Sequence, residues 1–139
     1  MERIKLSGTN KVNIKAIAEV ELNGDFDTYE KLIQTPWGFV QMLIYEEYYF
    51  RINSDLSVTV LYEERNGLTE IEIISAGGKE GILGLSFEAE KQALTRLSKR
   101  LIKEGFTVVE GNYAGMEKDE KKKLKKEKAE AKQRESESK

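Results

Sequence analysis

Residues 56–74 read Leu56-Ser57-Val58-Thr59-Val60-Leu61-Tyr62-Glu63-Glu64-Arg65-Asn66-Gly67-Leu68-Thr69-Glu70-Ile71-Glu72-Ile73-Ile74. In Leu56–Glu63, Leu56, Val58, Val60 and Tyr62 share one face, and Ser57 and Thr59 point away. In Leu68–Ile74, Thr69, Ile71 and Ile73 share one face, and Glu70 and Glu72 point away. This period of two predicts two strands. Between them, Asn66-Gly67 predicts a type I′ hairpin, because both residues tolerate positive φ. One-sided strands of this kind imply an antiparallel sheet with one face covered.

Upstream, the β-branched and aromatic run from Phe39 extends the same meander to Ala76. Tyr48–Asn53 reads as a strand with Tyr48, Phe50 and Ile52 on one face, and Asn53-Ser54-Asp55 turns into the next strand. Downstream, Phe87–Glu104 is the best-defined helix. Phe87, Leu94, Leu97 and Leu101 recur at helical spacing beside Ala93. Ser86 is its expected N-cap, Glu88 and Glu90 suit its first turn, and Gly105 is the expected stop. Phe106–Glu110 reads as a last strand and Glu2–Leu6 as a first.

Two segments are harder to assign. Lys11–Leu22 places Val12, Ile14, Ala16, Ala18, Val20 and Leu22 on one side, which predicts a strand; a helix over Ile14, Ile17, Ala18 and Glu21 competes. Asn23-Gly24 is a turn signal. Asp27 with Glu30 resembles a capping box, predicting a short helix over Thr28–Gln34 with Tyr29, Leu32 and Ile33 as its apolar side, broken by Thr35-Pro36-Trp37-Gly38. The expected fold class is α+β: an antiparallel β-meander packed against one long C-terminal helix, plus a short helix near 28–34. Residues 1–113 form the expected single domain. Residues 114–139 form a charged Lys/Glu-rich tail, disordered or marginally helical.

The chain has 139 residues, no histidine and no cysteine. That removes the side chains that most often act as nucleophile or base near pH 7, and the usual zinc ligands. Carboxylates, Lys, Tyr, Ser, Thr and backbone remain. No disulfide framework, signal-peptide pattern or long apolar run is present, so the expected location is the cytoplasm. Residues 116–139 carry ten Lys/Arg and seven Asp/Glu, a charge of +3; the rest of the chain carries −5. An acidic body with a weakly basic tail differs from the basic profile of most nucleic-acid-binding domains.

The motifs that could carry chemistry have simpler readings. Ala76-Gly77-Gly78-Lys79-Glu80-Gly81-Ile82-Leu83-Gly84 lies between strand and helix, as phosphate loops do, but its spacing fits neither glycine fingerprint. Asn23-x-Asp25-x-Asp27 opens like a calcium loop, then places Thr28 and Gln34 where Gly and Glu are needed. Glu46-Glu47 in a strand point to opposite faces and do not make an acid–base pair. The tail run Lys121-Lys122-Lys123-Leu124-Lys125-Lys126 is diluted by neighbouring Glu and Asp. No catalytic, cofactor-binding or metal-ligating residue is assigned, and no cofactor is expected.

Two sets of binding residues stand out. Arg96, Lys99, Arg100 and Lys103 form a basic stripe on the long helix, and Tyr45 and Tyr49 would be exposed on an open sheet face. Together these six are candidates for a partner surface. Tyr48, Phe50, Val58, Val60, Ile71, Ile73, Leu94 and Leu97 are candidates for an apolar pocket between sheet and helix.

Three pieces in order, Tyr45-Glu46-Glu47-Tyr48, Leu56–Leu61, and Ile73-Ile74-Ser75-Ala76-Gly77-Gly78 followed by Phe87-Glu88-Ala89-Glu90, resemble a family of small bacterial α+β domains of unknown function. The resemblance covers residues 39–105. It implies a compact α+β domain and brings no activity, cofactor or catalytic residue. The leading functional expectation is a non-enzymatic cytoplasmic binding or assembly module, with a protein partner or a second copy of the chain engaged through a sheet face or edge. The alternatives are a small-ligand carrier using the pocket, and an RNA- or ribosome-associated protein using the helix stripe and the tail.

Overall fold

The computed structural model describes residues 1–22, 27–49, 54–77 and 85–137, with side chains at 27, 47–49, 54–55 and 85–91 left out of account. Six strands form one antiparallel sheet in the order β2-β3-β4-β5-β1-β6. They are β1 (Glu2–Gly8), β2 (Asp27–Thr35), β3 (Gly38–Tyr49), β4 (Ser54–Arg65), β5 (Leu68–Gly77) and β6 (Thr107–Gly111). The helices are α1 (Ile14–Leu22), α2 (Leu85–Lys103) and α3 (Met116–Glu137). Strands β2 to β5 form the expected meander, and β1 inserts between β5 and β6.

The β4–β5 hairpin forms as its alternation predicts. Arg65 pairs with Leu68 across Asn66-Gly67, whose φ values of 50° and 82° are those of a type I′ turn. Leu56, Val58, Val60 and Tyr62 of β4 are buried, as are Thr69, Ile71 and Ile73 of β5. Helix α2 lays Ala93, Leu94, Leu97 and Leu101 on this face. Buried Ser98 returns its hydroxyl to the Leu94 carbonyl at 2.6 Å, so its polarity costs little there. The helix stops at Gly105, with φ of 103°, where the Asn10 side-chain amide donates to the Glu104 carbonyl at 2.6 Å. A Cβ at Gly105 would collide with that amide.

Two expected elements are corrected. Lys11–Leu22 is not a strand, because Ile14–Leu22 forms α1. Asn13 caps it, accepting the Ala16 N–H on Oδ1 at 3.1 Å. Ile14, Ile17, Ala18 and Leu22 are buried at helical spacing, whereas Val20, inward in the strand reading, is 64 % exposed. The competing helical pattern wins because α1 lies beside α2 over the same sheet face, where a helical stripe is what can be buried.

The short helix near 28–34 is likewise replaced by a strand. Asp27–Thr35 is β2, paired with β3 over nine residues from Asp27↔Glu46 to Thr35↔Gly38. Pro36-Trp37 then becomes the hairpin turn instead of a helix breaker. The ladder supplies every other backbone group with a partner in β3, which outweighs a local capping signal worth about 1 kcal/mol. Glu30, read as part of the capping box, instead ties β2 to α1. It accepts from Lys15 Nζ at 2.9 Å and from Gln41 Nε2 at 3.0 Å.

Residues 116–137 are helical with no buried residue. Of the expected turn Asn53-Ser54-Asp55, Ser54 and Asp55 instead open β4, paired with Tyr49 and Tyr48. Asn53, the expected turn at Asn23-Gly24, the calcium-like Asn23-x-Asp25 segment and the glycine-rich 78–84 segment lie outside the described residues.

Urea denaturation of two single variants checks the corrected α1. Ile17→Ala removes a buried side chain and is expected to cost about 2–5 kcal/mol. Val20→Ala is expected to change stability by no more than about 0.5 kcal/mol.

Candidate interaction surface

Sheet parity sorts every strand residue onto one of two faces. The helix-covered face holds Leu43, Tyr45, Val58, Val60, Tyr62, Ile71, Ile73, Ile4 and Leu6, all at most 2 % exposed. Two phenols on it are held neutral. Burial, with the nearby Glu19 and Glu30 charges, pushes Tyr45 up to about 12. Burial also raises Tyr62, whose hydroxyl donates to Glu64 Oε1 at 2.6 Å and accepts the Val12 N–H at 3.2 Å.

The opposite face has no helix over it among the described residues, and it is zoned. On its β5–β1–β6 half, Arg3 bridges Glu72 at 3.2 Å and Glu110 at 2.9 Å, and Lys5 bridges Glu70 at 3.4 Å. These charges find partners across the ladder. On the β2–β4 half an aliphatic and aromatic centre is interspersed with charged side chains: Lys31 faces Met42, Glu63 faces Val40, and Glu63 bridges Arg65 at 3.5 Å. Tyr29 faces Ile44, Ile33 faces Val40, and Met42 faces Leu61, each as a cross-strand pair. Thr59 extends the Ile44 row to Ile74. Tyr29 is 53 % exposed and Ile33 46 %; Val40, Met42, Ile44, Leu61 and Ile74 are half-buried by one another.

The hairpin tips complete this half. Trp37 is 58 % exposed, and the Arg65 guanidinium lies over its ring at 5.8 Å. The Asn66 N–H donates to the Trp37 carbonyl at 3.2 Å, binding the β2–β3 and β4–β5 turns together. Leu68 stands beside Arg65, 42 % exposed. Aromatic and arginine side chains around an aliphatic centre are the composition of interface hot spots.

Residues 28–104 match DUF6054, a family of unknown function. The chain belongs to this family. The DUF6054 match runs from β2 through α2, so it contains the whole β2–β4 zone and leaves out β1, α1, β6 and α3. No curated protein and no solved structure matches the chain.

The sequence-derived candidates fall in three places. Tyr45, expected to be exposed, is buried beneath α1 and α2 at 2 % exposure, because β3 turns its odd-numbered residues toward the helices. Tyr49 and Tyr48 have backbones in β3, but their side chains, and all of Phe50, lie outside the described residues. The α2 stripe is partly neutralised within the chain. Arg100 bridges Glu21 at 3.2 Å and Glu104 at 3.0 Å, and Lys99 bridges Asp119 at 3.5 Å. Arg96 and Lys103 are exposed.

Val58, Val60, Ile71, Ile73, Leu94 and Leu97 belong to one core cluster. A cleft of about 820 Å³ lies elsewhere, lined by Glu2, Leu94 and the segment from Gly111 to Lys118. Among the described residues no group of three carboxylates is placed to hold a metal, and no helix is long and apolar enough to cross a membrane.

Alternation along single strands does not reveal this open zone, but the composition of β3 does. In Phe39-Val40-Gln41-Met42-Leu43-Ile44-Tyr45 every even position and every odd one but Gln41 is apolar, the mark of a strand covered on both faces. Patterning also misses the root of α3. Buried Tyr113 donates its hydroxyl to Asp119 at 3.0 Å, and Lys99 lies 6.0 Å over its ring. Burial and the Asp119 bond push Tyr113 up to about 12.

A phenol whose folded pKa lies above its unfolded value of about 10 favours the fold fully below that pH and loses its contribution as pH rises toward about 12. Urea unfolding as a function of pH is therefore expected to show stability falling between about pH 10 and pH 12. Tyr45→Phe is expected to flatten that slope while changing it little below pH 9 or so.

Proposed function

We propose that this chain is a non-enzymatic assembly module that pairs with a second copy of itself through the open β2–β4 face of its sheet. The observation that carries this reading is the zoning of that face. One half is dominated by ion pairs, while the other exposes an aliphatic and aromatic cluster, including Trp37 and Tyr29, with Lys31 and the Glu63–Arg65 pair set among it. Surfaces of this kind on a folded domain mark contact sites. The absence of histidine and cysteine supports a binding role over a catalytic one.

Charge placement favours a second copy. Arg65 lies at the hairpin end of the zone and Glu46 at the other end, with Met42 and Leu61 paired midway. A two-fold axis across the strands at Met42 would seat each Arg65 over the partner copy's Glu46 and stack the aliphatic centres. Such an interface is isologous and closed, so it stops at a dimer. Three strands of this length present a plan area of about 500 Å², which is at the small end for specific association. The dimer is therefore expected to dissociate on dilution through the micromolar range. Edge strand β2 adds a flank, since Leu32 on its other side is 54 % exposed.

Light scattering after size exclusion tests the proposal over a concentration series. The wild-type chain is expected to convert from monomer to dimer as concentration rises, and Met42→Glu to remain monomeric. Arg65→Glu is expected to weaken the dimer by about tenfold, and adding Glu46→Arg to recover most of that loss. A chain that stays monomeric throughout, or a Met42→Glu variant that dimerises like wild type, would defeat the assembly reading.

A further inference from the structure

Helix α3 has no buried residue, so its two-sidedness is one of charge. At 100° per residue, Met116, Asp119, Glu120 and Lys123 share one side. These four line a small cleft against Ile102, Phe106, Val108 and Tyr113. The Tyr113 hydroxyl and Lys99 ammonium, both on Asp119, hold that side toward the body.

Diametrically opposite lie Lys121, Lys122, Lys125, Lys128 and Lys132, all exposed. They occupy about a third of the helix circumference and run along about 17 Å of its axis. No carboxylate falls in that sector. Glu127 and Glu130 lie on the body side, and Glu117 and Glu135 border the row. The acidic body and the acidic half of α3 are thus turned away from a solvent-facing line of like positive charge.

We infer that this lysine row is a docking surface for a flat anionic lipid bilayer. A plane meets one sector of a helix, and here every charged residue in that sector is a lysine, with only Ala129 and Ser136 between them. A nucleic-acid groove encloses a helix from both walls and would bring Glu117, Glu135 and Glu130 against phosphates. The row contains no apolar side chain larger than Ala129, so α3 rests on the headgroups without inserting. The attraction is then a sum of single-lysine contributions, each screened by salt.

The test is co-sedimentation of the full-length chain with vesicles. One set contains phosphatidylglycerol and phosphatidylcholine, the other phosphatidylcholine alone. Binding is expected to the anionic vesicles only, and to fall at least tenfold or so as salt rises from low to physiological. Lys121→Gln/Lys125→Gln/Lys132→Gln is expected to weaken it by about a hundredfold. Lys123→Gln/Lys126→Gln/Arg134→Gln removes the same charge away from the row and is expected to stay within about threefold of wild type. Arginine at the three row positions preserves the charge and is expected to restore binding, which separates loss of the row from loss of the helix. Equal losses in the two glutamine triples would overturn the inference. So would absence of binding to anionic vesicles at low salt, or tighter binding to a duplex DNA probe that displaces the vesicles.

Discussion

Everything in this molecule depends on the burial of one sheet face under two helices. Val58, Val60, Ile71 and Ile73 meet Leu94, Leu97 and Leu101 there, each at most 2 % exposed. Removing such apolar area from water is the main favourable term in folding, and it acts only where a cover exists. Helix α1 joins α2 on the same side, and the Arg100–Glu21 and Lys15–Glu30 bridges tie it to its neighbours. Those exposed ion pairs orient more than they stabilise. With both helices committed to one side, the opposite face has to meet water or a partner on its own terms.

It does so in two ways. Toward β1 and β6, Arg3, Lys5, Glu70, Glu72 and Glu110 interlock across the strands and remain well solvated. Toward β2, aliphatic and aromatic side chains predominate, with Lys31 and Glu63 among them, and they shield one another only in part. Cross-strand packing of this kind stabilises the sheet locally, yet it leaves the same residues as the most economical place to bind something. The two halves of one face thus differ in what they require from outside: the ionic half is self-sufficient and the apolar half gains from a cover.

The charged helix that follows obeys a separate logic. It contributes no fully buried residue to the core, and its first turn is held by a phenol, a carboxylate and an ammonium more than by an apolar stripe. Tyr113 and half-buried Met116 supply what little burial there is at that junction. Once the root is fixed, helical periodicity alone decides which lysines look outward.

The hairpin at Asn66-Gly67, the two strands around it and the α2 stripe were legible because each is a local pattern matched to its own environment: a period of two beneath a cover, a period of 3.6 above it, and a turn that two residues can make unaided. The outcome was reversed at Lys11–Leu22, where local signals were divided, and at Thr28–Gln34, where a local capping signal pointed to a helix; at both, partners distant in sequence settled the matter. Ile14 and Ile17 are buried because α2 lies alongside, and β2 is extended because β3 offers nine residues of ladder. The family resemblance read over 39–105 agrees with the DUF6054 match over 28–104, and neither brings an activity.

Of the interaction surface, the sequence by itself determined the raw material: a run from Phe39 to Tyr45 apolar on both parities, and a tail rich in lysine. Only the tertiary structure decided that Tyr45 is covered while Ile44 and Met42 are not, that Trp37 meets Arg65, and that Asp119 faces inward so that Lys125 faces out. The reason is physical. Alternation along a strand specifies that neighbouring residues part company, but which of the two faces receives a helix is set by contacts between segments tens of residues apart.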